Sequence, residues 1–354
     1  MAEHQPVSLA VIGYGGMGQH HAHRIPKELP KQFRCAGVFD ILEERRLAAR
    51  HRGLPAYESR GALLNNPEIE LVVVATPNDA HKEIVIDALE HGKNVICEKP
   101  VTMTSSDFEE MAAAARRSGK LFTVHQNRRW DSDYRTAKRV VDENLLGSVF
   151  HIESRVHGSR GIPGDWRNQK ERGGGMVLDW GVHLLDQMLQ IMGQRRLLSL
   201  YAQLTYVTNE ECDDGFRVYC TFEGGTTYLV EILTSNFIAL PRWYILGENG
   251  TARARGFRGG CDIVNVARWQ ELEAVPVQAG VGLTKTMAPR NRKNLRRSRL
   301  RQPKDDWAGY YRNIYDVLRA GAPPDVTLEQ QRRLLRVIEA IFVSAQENRA
   351  VEVE

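Results

Sequence analysis

Several groups of residues in this chain stand out by type and spacing. Gly13-Tyr14-Gly15-Gly16-Met17-Gly18 is a Gly-x-Gly-x-x-Gly motif between a predicted strand and a predicted helix. Its first glycine permits a tight turn, its second lets the backbone approach a pyrophosphate, and its third lets helix and strand pack closely. The helix N-terminus adds partial positive charge. Asp40 ends the second predicted strand, about twenty residues further on, where a carboxylate accepts hydrogen bonds from both hydroxyls of an adenosine ribose. Such a carboxylate repels a 2′-phosphate, so the sequence favours NAD over NADP, although Arg45 and Arg46 follow closely enough to reach a phosphate. Lys99 follows the fourth predicted strand in Glu98-Lys99-Pro100, and Asp179 and His183 stand four apart on a predicted helix, which turns both toward one side. Oxidation of a secondary alcohol requires a proton to leave oxygen as hydride leaves carbon, so a base and a stabiliser of alkoxide must lie beside the nicotinamide. An ammonium and an imidazole suit those tasks. Which of Lys99 and His183 takes the proton stays open at this level.

These groups need elements that bring several strand ends together. From residue 7 to 125, short β-branched runs alternate with amphipathic stretches, the pattern of strand–helix units around a parallel sheet. Strands are predicted at 9–12, 34–39, 71–75, 94–97 and 121–125. Helices are predicted at 17–25, 43–50, 80–90 and 106–118, the last opened by a capping box of Ser106 and Glu109. After Trp130 come a helix near 134–144, a strand near 149–156, a glycine-rich loop and another helix. Turn signals at Asp213-Asp214-Gly215, Glu223-Gly224-Gly225 and 247–250 divide the stretch 200–277 into antiparallel strands. Helices resume at 307–319 and, after a Thr327/Gln330 capping box, at 328–347. The expected fold is an α/β Rossmann domain with a parallel sheet over 1–127, followed by an α+β domain with a large, mainly antiparallel sheet over 128–354.

Composition narrows the function classes. A chain of 354 residues with 42% hydrophobic and 26% charged residues is globular, and disorder is excluded. The longest strongly apolar run, 71–75, is far short of the roughly 18 residues a membrane span needs. Met1-Ala2-Glu3-His4-Gln5-Pro6 lacks the basic and apolar regions of a leader peptide. Cysteines at 35, 97, 212, 220 and 261 show no Cys-x-x-Cys spacing, so free thiols in a reducing, cytoplasmic compartment are expected. The net charge of +4 conceals nine cations and no acid between Lys285 and Lys304, which leaves −5 elsewhere. A single basic segment without aromatic residues is not the footprint of a nucleic-acid binder; 281–304 reads as a long loop, whose basic run 285–304 is solvated, a lid or subunit contact, or an anion-binding arm, the first two being favoured. His20, His21 and His23 raise the question of a metal; they lie in the first turns after the glycines with no further ligand cluster evident, so none is expected.

Glu98-Lys99-Pro100, together with Gly173-Gly174-Gly175-x-x-x-Asp179-x-Gly181-x-His183, resembles the glucose-fructose oxidoreductase, inositol dehydrogenase and MocA family of sugar dehydrogenases. Ala75-Thr76-Pro77-Asn78 with His81, Trp166-Arg167, and Val326-Thr327-Leu328-Glu329 extend the resemblance nearly end to end. Gln126-Asn127-Arg128-Arg129-Trp130-Asp131 looks most like the scyllo-inositol dehydrogenase branch. The resemblance implies reversible NAD-dependent oxidation of a cyclic polyol, a sugar or a glycoside, with His183 as general base, Lys99 bonded to the reacting oxygen and Asp179 orienting the substrate. It implies a cofactor site of Gly13, Gly15, Gly16, Met17, Gly18 and Asp40, joined by Thr76, Pro77, Asn78 and His81. Glu98, Lys99, Asn127, Trp166 and Arg167 complete that site. Tyr134, Arg160 and Tyr310 are candidate sugar contacts. It further implies a cis Lys99–Pro100 bond and a homodimer or homotetramer. The competing expectations are an NAD-using glycosidase, a redox-neutral exchange between sugars on tightly held NAD, and a sugar-sensing regulator. The presence of both Lys99 and His183 weighs against the last.

Overall fold

The computed structural model describes residues 5–267, 269 and 274–353; Met1 to His4, which carry part of the leader argument, and a few positions of the expected strand region before 277 lie outside them. Short apolar runs form the first sheet: β1 (Val7–Ile12), β2 (Phe33–Phe39), β3 (Leu71–Val74), β4 (Asn94–Cys97) and β5 (Phe122–Val124). All pair in parallel in the order β2-β1-β3-β4-β5. Every residue of β1 and β3 is buried, as expected of strands covered by helices on both sides. The strand order reverses between β1 and β3, so the loops leaving their C-terminal ends diverge and open a crevice. Cys97 pairs with Val124, which sets Glu98 and His125 side by side at that same edge.

The second sheet contains β6 (Val149–His157), β7 (Leu197–Thr205), β8 (Gly215–Phe222), β9 (Thr227–Leu233), β10 (Trp243–Gly247), β11 (Gly250–Ala254) and β12 (Cys261–Val266). A separate hairpin of β13 (Val277–Ala279) and β14 (Gly282–Thr284) precedes β15 (Leu295–Leu300), and β16 (Val351–Glu352) closes the chain's strands. The nine-stranded order is β15-β12-β11-β10-β6-β9-β8-β7-β16, antiparallel throughout except between β6 and β9. Helices Val182–Met192 and Leu328–Glu347 pack with this sheet around Phe216, Val218, Tyr228, Val230 and Trp243.

One helix closes both cores. Leu328–Glu347 contributes Leu335 to the first and Leu334, Val337, Ile338 and Ile341 to the second. Its Glu339 accepts hydrogen bonds from the Ser105 N–H and hydroxyl at 2.7 and 2.9 Å, and Gln331 Oε1 accepts one from Gln126 Nε2 at 3.0 Å. Helix Gly309–Ala320 follows the second sheet in sequence, yet buries Tyr310, Tyr311 and Ile314 in the first core.

Two local expectations need correction. The fourth predicted helix opens at Ser105, because Thr104 is extended and its Oγ1 accepts the Asp107 N–H at 3.2 Å; Ser106 and Glu109 form no capping box, and Glu109 pairs with Arg332 instead. The basic segment 281–304 is not one loop: β14 lies within it, and β15 pairs with β12 as the sheet edge. Exposed arginines on that edge discourage pairing with another chain. The Thr327/Gln330 capping box forms as read. Among the described residues no helix is long and apolar enough to cross a membrane, and all five cysteines are free thiols.

Thr327→Ala removes an acceptor at the start of the helix shared by both cores. It should cost about 1 kcal/mol, measured as a lowered chemical-denaturation midpoint with an unchanged native circular dichroism spectrum.

Candidate active site

The glycine loop leaves β1 and is held against its neighbours by close packing. Gly13 has φ +95°, and a Cβ on Gly18 would lie 1.8 Å from the Gly13 carbonyl oxygen, so helix and loop approach as only glycine allows. The other two glycines are open. A Cβ on Gly16 would meet nothing within 4 Å, and one on Gly15 only Arg45 Nη1 at 3.7 Å. The helical run that follows includes a π turn, His20–Arg24, just before Pro26, whose missing N–H and bulky ring disfavour a regular α turn there. Across the crevice, the Thr76 hydroxyl is buried without a hydrogen-bond partner among the described residues. An open cradle of backbone at a helix start, faced by an orphaned hydroxyl, fits the pyrophosphate of a dinucleotide.

Lys99 follows β4 and crosses to the second unit. Its Nζ donates to the Asp179 carbonyl oxygen at 2.8 Å and to Asp179 Oδ1 at 3.0 Å. The two side chains are only 18% and 16% exposed. Arg167 Nε lies 3.5 Å from the other carboxylate oxygen, and its guanidinium stacks on Trp166 at 4.7 Å. The Lys99–Pro100 bond is cis. Asp179 lies in a π turn, Val177–Gly181, that runs directly into the helix carrying His183. His183 is 6% exposed, and its Nδ1 has no hydrogen-bond partner among the described residues. Burial, then the charges of Lys99 and Arg128, hold its pKa well below the ordinary 6.5, so the imidazole is neutral at pH 7. Arg128 stacks over Trp180 at 4.1 Å, and the Trp180 ring stands edge-on to His183 at 6.1 Å. One turn beyond His183, Asp186 receives Arg129 in a two-pronged pair at 2.6 and 2.8 Å, which fixes the helix to the segment joining the two units.

Beneath Lys99 lies a buried cluster. Glu98 Oε1 is 2.8 Å from both His21 Nε2 and His125 Nδ1, while Oε2 accepts the Lys99 N–H at 3.1 Å. Tyr311 Oη meets His21 Nδ1 at 2.6 Å. Burial alone would raise the Glu98 pKa, but the two imidazoles outweigh it and keep the group a carboxylate. The expectation that no ligand cluster accompanies the histidines of the first helix is corrected here: the donor atoms of His21, Glu98 and His125 lie within 4.8 Å of one another. At 2.8 Å their contacts are hydrogen bonds. His20 and His23 are not members.

Several expected contacts are engaged elsewhere. Asp40 is buried, with Oδ2 accepting the Tyr14 N–H at 2.7 Å and Oδ1 the Leu42 N–H at 2.9 Å. Asn78 donates to the Gly173 carbonyl at 2.9 Å and so straps the first unit to the glycine-rich loop of the second. His81 is buried among the carbonyls of Thr76, Pro100 and Val101. Asn78, His81 and Glu98, expected at the cofactor site, each also bond within the protein. Tyr134 belongs to the second core, and Tyr310 packs against His125 and Trp130, so neither presents a surface to a sugar. Met17, Pro77, Asn127 and Trp166 remain partly or fully exposed near these loops, and Arg160 is exposed after β6. Arg128 stands in the 126–131 motif without an individual role there, and His125 and Tyr311 carry no sequence signal of a place at the site. The register of β4 against β5 brings His125 to Glu98.

A parallel-sheet unit with a glycine-loop cradle is thus joined, across a seam that holds Lys99, Asp179 and His183, to a second unit built on a large, mainly antiparallel sheet. The chain belongs to the Gfo/Idh/MocA oxidoreductase family: residues 7–126 match its NAD-binding Rossmann-fold model, and residues 134–253 match its C-terminal domain. It is 28% identical to scyllo-inositol 2-dehydrogenase (NADP(+)) IolW of Bacillus subtilis, over 82% of this chain and 81% of that one. Identity to D-glucoside 3-dehydrogenase of Escherichia coli is 28%, over 53% and 54% of the two chains. A crystal structure of an NAD-binding protein from Listeria innocua is 45% identical, with a TM-score of 0.94 over 99% of this chain and 100% of that one.

The His183 environment predicts an imidazole that titrates below pH 6.5. Because the Lys99 charge lowers that pKa, Lys99→Met should raise it, as followed by NMR of the ring protons; an unchanged titration would show that the two groups are not electrostatically coupled.

Proposed function

We propose that the protein is a dehydrogenase that uses a nicotinamide dinucleotide to oxidise, reversibly, a secondary alcohol of a sugar, a cyclic polyol or a glycoside. The observation that carries this reading is the Lys99–Asp179 contact, with His183 one turn beyond Asp179. When bound, the nicotinamide ring supplies the acceptor for the hydride that leaves the carbinol carbon.

The residues divide the remaining work. Asp179 occupies two of the three ammonium protons of Lys99, leaving one for the alcohol oxygen. That bond favours the developing alkoxide over the alcohol, the differential interaction that lowers a barrier. His183, neutral and buried, takes the proton. Once it is charged it stands near the Lys99 cation, and the Glu98 carboxylate offsets part of that repulsion. Trp180 and Arg128 form the wall beside the imidazole. Self-association as a homodimer or homotetramer belongs to the same proposal; strand alternation turns Tyr201, Tyr219 and Tyr244 away from the second core, onto the sheet face that a partner subunit would cover. The free thiols support a reducing compartment, the cytoplasm.

Incubation with either dinucleotide and a panel of inositols, pyranoses and glycosides should produce reduced nicotinamide with at least one of them. Lys99→Ala and His183→Ala should each lower kcat by about 10²- to 10⁴-fold while dinucleotide binding persists. Full activity in either variant would contradict the assignment, and aglycone release without accumulated reduced cofactor would point to net hydrolysis instead.

A further inference from the structure

We propose that Tyr311 is a positioning residue for the alcohol oxidation: its hydroxyl fixes the tautomer of His21, and His21 and His125 together hold Glu98 where its carboxylate anchors the backbone of Lys99. The inference rests on the dehydrogenase reading given above. Four elements supply the chain of contacts. His21 stands in the π turn after the glycine loop, Glu98 follows β4, His125 follows β5, and Tyr311 lies in the helix Gly309–Ala320. None of the four is more than 6% exposed. Water therefore offers no alternative partner, and a donor or acceptor mismatched inside the cluster stays unsatisfied.

The direction of each hydrogen bond follows from which groups are neutral. Burial pushes the Tyr311 phenol well above its ordinary 10.0 and pulls the His21 imidazole below its ordinary 6.5, while against burial the two imidazoles keep Glu98 a carboxylate. A carboxylate only accepts, so His21 must donate from Nε2, 2.8 Å from Glu98 Oε1. A neutral imidazole carries one ring proton, which leaves His21 Nδ1 as an acceptor. The Tyr311 hydroxyl, 2.6 Å away, donates to it. Without that hydroxyl the proton is free to sit on Nδ1, and the bare Nε2 lone pair would then face the Glu98 carboxylate. His125 Nδ1 supplies the second donor, 2.8 Å from the same oxygen. Oε2 is thereby aimed at the Lys99 N–H, 3.1 Å away, on the residue whose Nζ reaches Asp179.

Tyr311 is itself held in place. Its ring lies edge-on to Phe33 at 5.4 Å and tilted against His125 at 5.8 Å. The start of its helix is pressed to the interdomain segment, since a Cβ on Gly309 would lie 2.1 Å from Trp130 Cδ1. A helix that enters the first core from beyond the second sheet thus reaches Lys99 through two side chains, His21 and Glu98.

The test pairs Tyr311→Phe with His21→Gln, whose side-chain amide can donate to Glu98 whatever stands at 311. It reads ring-nitrogen NMR shifts, and steady-state kinetics on an alcohol that wild type turns over. Wild-type His21, assigned by its through-space contacts to the Tyr311 ring, should carry its proton on Nε2 alone, and Tyr311→Phe should move that proton toward Nδ1. Tyr311→Phe should lower kcat by roughly tenfold, with KM and the dinucleotide Kd changed by less than about twofold. In the His21→Gln background the same substitution should change kcat by less than about twofold. Should His21→Gln not fold, the tautomer and the kcat of Tyr311→Phe decide. Wild-type His21 protonated on Nδ1 or on both nitrogens, an unchanged kcat in Tyr311→Phe, or an equal loss in both backgrounds would overturn the proposal. Failure of wild type to turn over any inositol, pyranose or glycoside would instead overturn the dehydrogenase reading, and the tautomer measurement would then decide the hydrogen-bond chain alone.

Discussion

The Lys99 ammonium sits at the seam between the two units, little exposed, with both its protein acceptors on one residue of the other unit, Asp179. Removing a charge from water is costly unless an opposite charge and hydrogen bonds meet it, and breaking such a pair by deleting one partner typically costs about 3–5 kcal/mol. Lys99 and Asp179 therefore constrain each other, and through each other they constrain the spacing of two separately built cores. The other links across the seam act on the same spacing. Asn78 ties the end of β3 to the glycine-rich loop, Arg129 ties the interdomain segment to Asp186, and one helix places side chains in both cores.

Charge is graded from this point inward. Glu98 is held as a carboxylate by His21 and His125, and Lys99 follows it in the chain with its N–H on the same carboxyl group. The lysine's charge then helps to keep His183 neutral. A fixed cation beside a neutral imidazole is the arrangement an alcohol needs if its proton is to leave while its oxygen is stabilised. The buried triad under Lys99 has no exposed member, and its effect is on the geometry of the chain leading into the lysine.

Much of this was legible in the sequence because the relevant signals are local. The glycine motif, the β-branched strands and the Thr327/Gln330 box each depend on residues within one turn or one strand. The capping of the fourth helix was misplaced because Thr104 and Ser106 are both good caps, and the extended backbone at Thr104 decided between them. β15 was hidden because an arginine-rich edge strand reads as a solvated loop until its pairing with β12 is known. Asp40, Asn78 and His81 are placed at the site by their motifs, and spacing alone does not reveal that they also bond backbone groups: those of Tyr14 and Leu42, of Gly173, and of Thr76, Pro100 and Val101. The His21–Glu98–His125 cluster needed the β4–β5 register and a helix from far upstream, neither of which is encoded by spacing along one segment.

The spatial claim at the centre of this account is tested most directly by a crystal structure with a dinucleotide and a turned-over polyol or sugar bound together. One secondary hydroxyl oxygen should lie within about 2.6–3.2 Å of both Lys99 Nζ and a His183 ring nitrogen, with its carbon facing the nicotinamide. A substrate that seats its reacting carbon against the nicotinamide while its oxygen contacts neither group would contradict it.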